Sequence, residues 1–296
     1  MSNSTARRAI PHRPALPAPL AALLLAALAA VLVPAGGCCT ATAATAATGA
    51  TGAPAGVIAD TGAVTERPLR PELPADRPLR AAFLVVDGVY NTELMAPLDV
   101  FHHTPLHTTP APGIEVFTVS PDGEAVRSFE GLVLQPDFGF DDAPEADVLV
   151  VPSAEGSMDL DLDNEALIAW VREAAARARW VVSLCDGAFV LAEAGLLDGR
   201  AATTFPKDYE DFAARFPAVD LRINVSFVHD GKMLTSQGGV RSYDVAMYLV
   251  DLLYGQEVAE RVGAGLLIPW PLDRDVYPPY TVVIDPERGR AAAADR

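Results

Sequence analysis

The stretch Val181-Val182-Ser183-Leu184-Cys185-Asp186-Gly187-Ala188-Phe189 is where this chain could do chemistry. An apolar run leads straight to Cys185, with Gly187 two residues on and further apolar residues beyond. A strand that turns sharply into a helix at a nucleophile is a nucleophile elbow. It holds the side chain off the C-terminal edge of a sheet, where open α/β sheets bind ligands. The small residues after Asp186 let the backbone turn that tightly. The first turn of the helix offers free N–H groups and a positive dipole end, which favour a thiolate or an oxyanion. A thiol at its ordinary pKa of about 8.5 is only a few per cent ionised at pH 7. The helix would lower that value and the Asp186 carboxylate would raise it, so the sign of the net shift stays open at this point. A lone cysteine is, besides, most often a small buried hydrophobe.

Around this turn the pattern alternates between strand and helix. Ala81–Val86, Ile114–Ser120, Asp147–Val151 and Trp180–Leu184 are apolar without strict alternation, as in strands buried on both faces. Pro121-Asp122-Gly123 closes the second of them as a turn. Helices are predicted at Glu93–His103, Asn164–Ala178, Gly187–Ala194, Tyr243–Leu253 and Gln256–Leu267, with Gly195 and Gly255 as stops. Thr203-Thr204 reads as a strand end. Val225–Val228 and Lys232–Thr235 flank a hairpin turn at His229-Asp230-Gly231. Strands alternating with helices predict one α/β domain over residues 80–271, a mostly parallel sheet with helices on both faces.

The run Val182–Leu197 (VSLCDGAFVLAEAGLL), continued through Asp198-Gly199-Arg200-Ala201-Ala202-Thr203-Thr204, resembles the DJ-1/PfpI superfamily of the class I glutamine-amidotransferase-like fold. Three further segments agree and fall in the right order. They are Phe83–Asp87 followed by Glu93–Phe101, then Val148–Pro152, then His229–Gly239 with the helix bearing Asp244. The nearest branch holds isonitrile hydratases and the N-terminal domains of AraC-type regulators. The resemblance implies a flavodoxin-like three-layer sandwich and a homodimer. It makes Cys185 the nucleophile and Glu93 the acid against its sulfur. It assigns the Asp186 N–H as one oxyanion donor and draws the other from Ser153-Ala154, with Gly187 completing the pocket.

The sequence departs from the family pattern at three places. Ser153 and Ala154 stand where two glycines are usual, Asp186 where some members have histidine, and Phe205 where many have histidine. With no histidine at either position to act as general base, protease and amidotransferase chemistry is disfavoured. A thiol with two carboxyls, Glu93 and Asp186, suits addition to a small electrophile such as an isonitrile or a reactive carbonyl, that is, a cysteine-dependent hydratase, lyase or hydrolase. The alternative is a module that binds a ligand, or senses oxidation at Cys185, without turnover.

Other candidates carry less. Pro105 is expected to break any helix joining His102, His103 and His107, so no metal ligation is assigned. Asp159, Asp161 and Asp163 alternate as in a Ca²⁺ loop but lack its glycine and closing glutamate, which leaves Asp163 as a helix N-cap. Asp244 is taken as a surface or capping group and His229 as structural. Arg241 and Tyr243 could line the cysteine pocket. Asn224-Val225-Ser226 fits a glycosylation sequon, read as a chance match on a strand. Gly263-Ala264-Gly265 lacks a third glycine and a preceding strand, so no dinucleotide or other cofactor is implied.

The chain has 296 residues, 22 Lys+Arg and 39 Asp+Glu, a net charge of −17. That acidity excludes nucleic-acid binding by bulk electrostatics. A hydrophobic content of 50% excludes global disorder, and three cysteines cannot make a disulfide framework. The partner expected is instead a small-molecule substrate or ligand. Residues 1–37 read as an export signal: Arg7, Arg8 and Arg13 precede an uncharged apolar run, Leu20–Val33. As a helix that run spans ~21 Å, short of a ~30 Å bilayer core. Pro34-Ala35-Gly36-Gly37 before Cys38 resembles a lipobox, which would anchor the chain to a membrane through a lipid on Cys38. Ordinary secretion and an uncleaved anchor stay open beside it. Residues 38–79 read as a tether, Thr/Ala/Gly-rich and then Pro-rich, and residues 272–296 as a tail.

Overall fold

The computed structural model describes residues 58–59, 68–272 and 279–283. The apolar run 20–33, Cys38 and the Thr/Ala/Gly stretch 40–56 lie outside them. Thirteen strands and six α-helices are formed among the described residues. The strands are β1 (Ile58–Ala59), β2 (Leu79–Leu84), β3 (Ile114–Ser120), β4 (Val126–Arg127), β5 (Val133–Leu134), β6 (Phe138–Gly139), β7 (Val148–Val151), β8 (Trp180–Leu184), β9 (Ala201–Ala202), β10 (Asp220–Ile223), β11 (Phe227–Asp230), β12 (Met233–Ser236) and β13 (Thr281–Val283). The helices are α1 (Asn91–His107), α2 (Glu165–Arg177), α3 (Gly187–Glu193), α4 (Tyr209–Arg215), α5 (Arg241–Tyr254) and α6 (Gln256–Leu266).

Eight strands make the central sheet, in the order β6-β3-β2-β7-β8-β12-β11-β13. Every pairing is parallel except β11 with β12. Alternate residues of the inner strands feed two cores. Phe83, Val150, Val182 and Leu234 pack on one side with α1, α5 and α6; Ala82, Val151, Val181 and Met233 pack on the other with α2, α3 and α4. That double burial is why the strands read as unbroken apolar runs. The chain leaves β2 for β3 on one side, then returns to place β7 and β8 on the other. The strand order therefore reverses between β2 and β7. The crevice at such a switch point is where this architecture binds ligands, and the loops after β2, β7, β8 and β12 converge there.

Several elements differ from the sequence reading. Helix α1 does not stop at His103 but runs through Pro105 to His107. Pro105 has no N–H to give to the carbonyl four residues back, that of Phe101. The Thr104 hydroxyl makes that bond instead, at 2.7 Å, and accepts in turn from the Ile114 N–H, also at 2.7 Å. The same continuation places His103 and His107 on one face, beside Gly265 of α6. Thr104→Val should therefore leave a carbonyl and an N–H unpaired in a fully buried position. We expect it to cost about 2 kcal/mol or more in urea unfolding, well above an ordinary surface threonine.

The N-cap of α2 is Asn164, whose side chain accepts from the Leu167 N–H at 3.1 Å, rather than Asp163. Asn224 sits at φ 61 between β10 and β11, outside any strand. Part of the segment read as a tether is docked. Ile58–Ala59 pair with β10, Leu73 packs on the core, and Arg77 grips the Asp147 carboxylate with both terminal nitrogens, at 2.7 and 3.0 Å. The segment read as a tail supplies β13, with Val282 buried against the sheet. Both additions are only two or three residues long, too short for a periodic pattern to show.

Candidate active site

Strand β8 ends at Leu184 and α3 begins at Gly187, so Cys185 occupies the bend between them. Its φ of 55° lies in the left-handed region, rare for a residue with a side chain and a mark of a strained functional turn. The strain is held in place from several sides. The Cys185 N–H donates to the Ser236 carbonyl at 2.9 Å, and its own carbonyl accepts from the Thr204 hydroxyl at 3.1 Å. Gly187 packs so closely on β7 that a Cβ there would collide with the Val151 carbonyl oxygen. Gly238, at φ 80°, packs directly on Cys185, and a Cβ there would overlap the cysteine's own. Both glycines are thus required by close backbone approach.

The thiol is 6% exposed. Its hydrogen-bond partner is the Asp186 carboxyl, with Sγ 3.5 Å from Oδ2. Burial pushes the thiol pKa well up. The charges of Glu93 and Asp186 push it further, and the Ser153 hydroxyl and Asp186 N–H beside the sulfur offset only part of this. Of the two influences left open by the sequence, the carboxylates and desolvation prevail over the helix end. Asp186 is itself raised to about 6, first by burial and then by the charge of Asp208; its hydrogen bonds with Thr204 and Cys185 pull the other way.

Glu93 stands in the first turn of α1, 5% exposed. Its Oε2 accepts from the Ser153 hydroxyl at 2.5 Å and from the Ser153 N–H at 3.3 Å, and its Oε1 accepts from the Gly239 N–H at 3.1 Å. The residue expected to hydrogen-bond the sulfur is instead bonded to the two loops that flank it. The Ala154 N–H, expected as an oxyanion donor, donates to the Ser157 hydroxyl at 2.8 Å. Ser157 in turn reaches Asp161 at 3.4 Å. The structure thus gathers Cys185, Asp186, Glu93, Ser153 and Gly187 at one place but engages the N–H groups of Ser153 and Ala154 elsewhere.

Other readings from sequence fare unevenly. Asp244 is not a surface group: it is 3% exposed, 3.3 Å from Arg241 at the start of α5, and burial raises its pKa to about 6. Arg241 is directed to that carboxylate. His229 lies buried at the end of β11, its ring nitrogens 2.8 Å from the Tyr248 hydroxyl and 2.8 Å from the Gly231 carbonyl oxygen. Sequence reasoning missed the placement of Thr204, Ser157, Asp208 and Tyr90 around the site. Thr204 carried a signal, since it ends the segment that resembles the family; the other three carried none.

The raised pKa of Asp186 has a consequence for stability. A carboxyl titrating near 6 in the fold and near 3.8 when unfolded binds its proton more tightly in the native state. Its contribution is therefore complete below about pH 4 and is lost as pH rises through 6, on the order of 2–3 kcal/mol in all. Asp186→Asn does not titrate. We expect it to match the wild type in thermal stability near pH 4 and to exceed it at pH 7.5. Part of the pH slope remains because of Asp244.

This elbow on a mostly parallel sheet defines a cysteine-site α/β protein, and comparison places it further. Residues 79–252 match the DJ-1/PfpI family, to which the chain belongs. It is 32% identical over 223 residues to the isonitrile hydratase of Pseudomonas putida, covering 72% of this chain and 90% of that one. It is 31% identical over 150 residues to the HTH-type transcriptional regulator CdhR of Pseudomonas aeruginosa, covering 51% of this chain and 44% of the regulator. A THiJ/PfpI family protein from Pseudomonas syringae superposes with a TM-score of 0.58 at 24% identity, covering 73% of this chain and 85% of that one. Drosophila melanogaster DJ-1beta gives 0.55 at 22%, covering 65% and 99%. These two structures share the fold.

Proposed function

We propose that the protein hydrates small neutral electrophiles at Cys185, an isonitrile being the substrate type that fits the site best. The observation that carries this is the Cys185–Asp186 pair: a buried thiol pushed away from ionisation, hydrogen-bonded to a carboxyl poised near 6. Such a thiol is a poor free nucleophile. An isonitrile carbon, however, takes up a nucleophile and a proton at the same atom. Sulfur bonds to that carbon as the thiol proton passes to Asp186 Oδ2 and on to the carbon, giving a thioimidate, Cys–S–CH=N–R. Water then adds to the carbon and nitrogen takes a proton. The C–S bond breaks, sulfur recovers a proton and an N-substituted formamide leaves. This sequence asks for one acid–base group at the sulfur and builds no full oxyanion in its first step. It therefore tolerates engaged N–H groups at Ser153 and Ala154. The relative of that activity in Pseudomonas putida supports the same reading.

Incubation with an alkyl isonitrile tests it: the N-substituted formamide should accumulate catalytically, followed by NMR, with methylglyoxal as the reactive-carbonyl comparison. Turnover of neither would leave the second reading, a ligand-binding or oxidation-sensing module. That reading is favoured by the Ser153 and Ala154 N–H groups, already taken by Glu93 of α1 and by Ser157. A cell-envelope location with a lipid on Cys38 belongs to the proposal and rests on residues 1–38 alone. A homodimer rests on the family resemblance.

A further inference from the structure

We propose that Thr204 is a positioning residue of this site: its hydroxyl, set between the Cys185 carbonyl and the Asp186 carboxyl, keeps one Asp186 oxygen on the sulfur whether or not the acid is protonated. This rests on the reading that Asp186 handles the thiol proton. Thr204 is fully buried, with Oγ1 3.1 Å from the Cys185 carbonyl oxygen and 3.1 Å from Asp186 Oδ1. The other carboxyl oxygen, Oδ2, faces Sγ at 3.5 Å.

A hydroxyl has one hydrogen to give and lone pairs to accept with, whereas a peptide carbonyl only accepts. With Asp186 ionised, the Thr204 hydrogen serves Oδ1. With Asp186 protonated at Oδ1, that proton is donated to Thr204 Oγ1, whose own hydrogen turns to the Cys185 carbonyl. The Thr204–Asp186 contact is kept in either state; when the hydroxyl hydrogen serves Oδ1, the Cys185 carbonyl retains the Ala188 N–H at 3.3 Å, and Oδ2 remains an acceptor for the thiol throughout. Without the hydroxyl, the carboxyl keeps only its long contact to sulfur and its terminal torsion is broad. The orienting residue of a catalytic triad works by the same logic, fixing the acid–base group rather than moving a proton itself. Thr204 is in turn held by the sheet, because the neighbouring Thr203 N–H donates to Thr235 Oγ1 of β12 at 2.8 Å. The titratable groups acting on Asp186 are Cys185 beside it, Glu93 from α1 and Asp208 from the turn before α4; Tyr90, before α1, feels the Asp186 charge in turn.

The test is the pH dependence of Cys185 alkylation by iodoacetamide in the full chain, read by mass spectrometry on the Cys185 peptide. In the wild type the rate should rise through about pH 6, where Asp186 loses its proton and Oδ2, although its charge disfavours a free thiolate, can take the thiol proton as sulfur attacks. Thr204→Val removes a donor that favours the carboxylate and should move that rise alkaline by about one pH unit. Thr204→Ser should restore it, which a purely structural role would not require. If circular dichroism shows Thr204→Val unfolded, Thr204→Ala takes its place. A rise that stays put in a folded hydroxyl-free variant, or that is absent from the wild type, overturns the proposal. Alkylation needs no turnover, so a shifted rise without isonitrile hydration would remove the function and leave the role of Thr204 standing.

Discussion

Cys185→Ala is expected to lower isonitrile hydration by on the order of 10³-fold or more while leaving the protein folded. The sulfur is the group that forms the bond to carbon in the proposed reaction, and loss of a nucleophile is among the largest single effects known in enzymes. Folding should survive because the bend does not depend on the thiol. It is held by the Ser236 carbonyl, the Thr204 hydroxyl and the close packing of Gly187 and Gly238, all of which contact backbone or Cβ. Alanine would occupy the same left-handed φ at the same cost as cysteine. Thermal unfolding and turnover measured on one preparation separate the two effects. A variant that lost both would mean that the sulfur is a packing group.

Glu93→Ala should have the largest effect on stability of any substitution at the site. Its two oxygens receive the Ser153 hydroxyl, the Ser153 N–H and the Gly239 N–H, and so fasten the loops after β7 and β12 to the first turn of α1. Removing the carboxyl leaves three donors without their partner, the two of Ser153 buried and the Gly239 N–H partly so. Each unsatisfied group costs about 1–3 kcal/mol, so a loss of about 3 kcal/mol or more is expected in urea unfolding. Glu93→Gln keeps one acceptor oxygen but sets an NH₂ group against a donor, and should fall between wild type and alanine. Alkylation of Cys185 would change in both variants, since Gly238, next to Gly239, packs on the cysteine. An alanine variant as stable as the wild type would show that Glu93 does not bind these loops together.

Much of this arrangement was legible in the sequence, for identifiable reasons. Buried parallel strands announce themselves as apolar runs, and β8 entering α3 across Cys185-Asp186-Gly187 is a local signal complete within nine residues. What escaped was decided by single hydrogen bonds between distant positions. Nothing near Pro105 indicates that Thr104 will serve the carbonyl that the proline abandons. Nothing in the Glu93 segment indicates that its oxygens will be taken by Ser153 and Gly239 rather than by sulfur. Likewise, the Ser153-Ala154 loop gave its position but not the destination of its N–H groups, which depends on Ser157 three residues on. Asp244 looked like a helix-end surface acid because its burial comes from packing around the start of α5, which sequence periodicity does not report.

The central claim is that sulfur bonds to the substrate's carbon with Asp186 handling the proton. The most direct measurement is mass spectrometry of the protein quenched during reaction with an alkyl isonitrile. A mass increase equal to the isonitrile, on the peptide containing Cys185, is expected, together with its slower appearance in Asp186→Asn. An unmodified Cys185 in a protein whose thiol still reacts with iodoacetamide would contradict the account, because an accessible sulfur would then be bypassed by the electrophile it is built to meet.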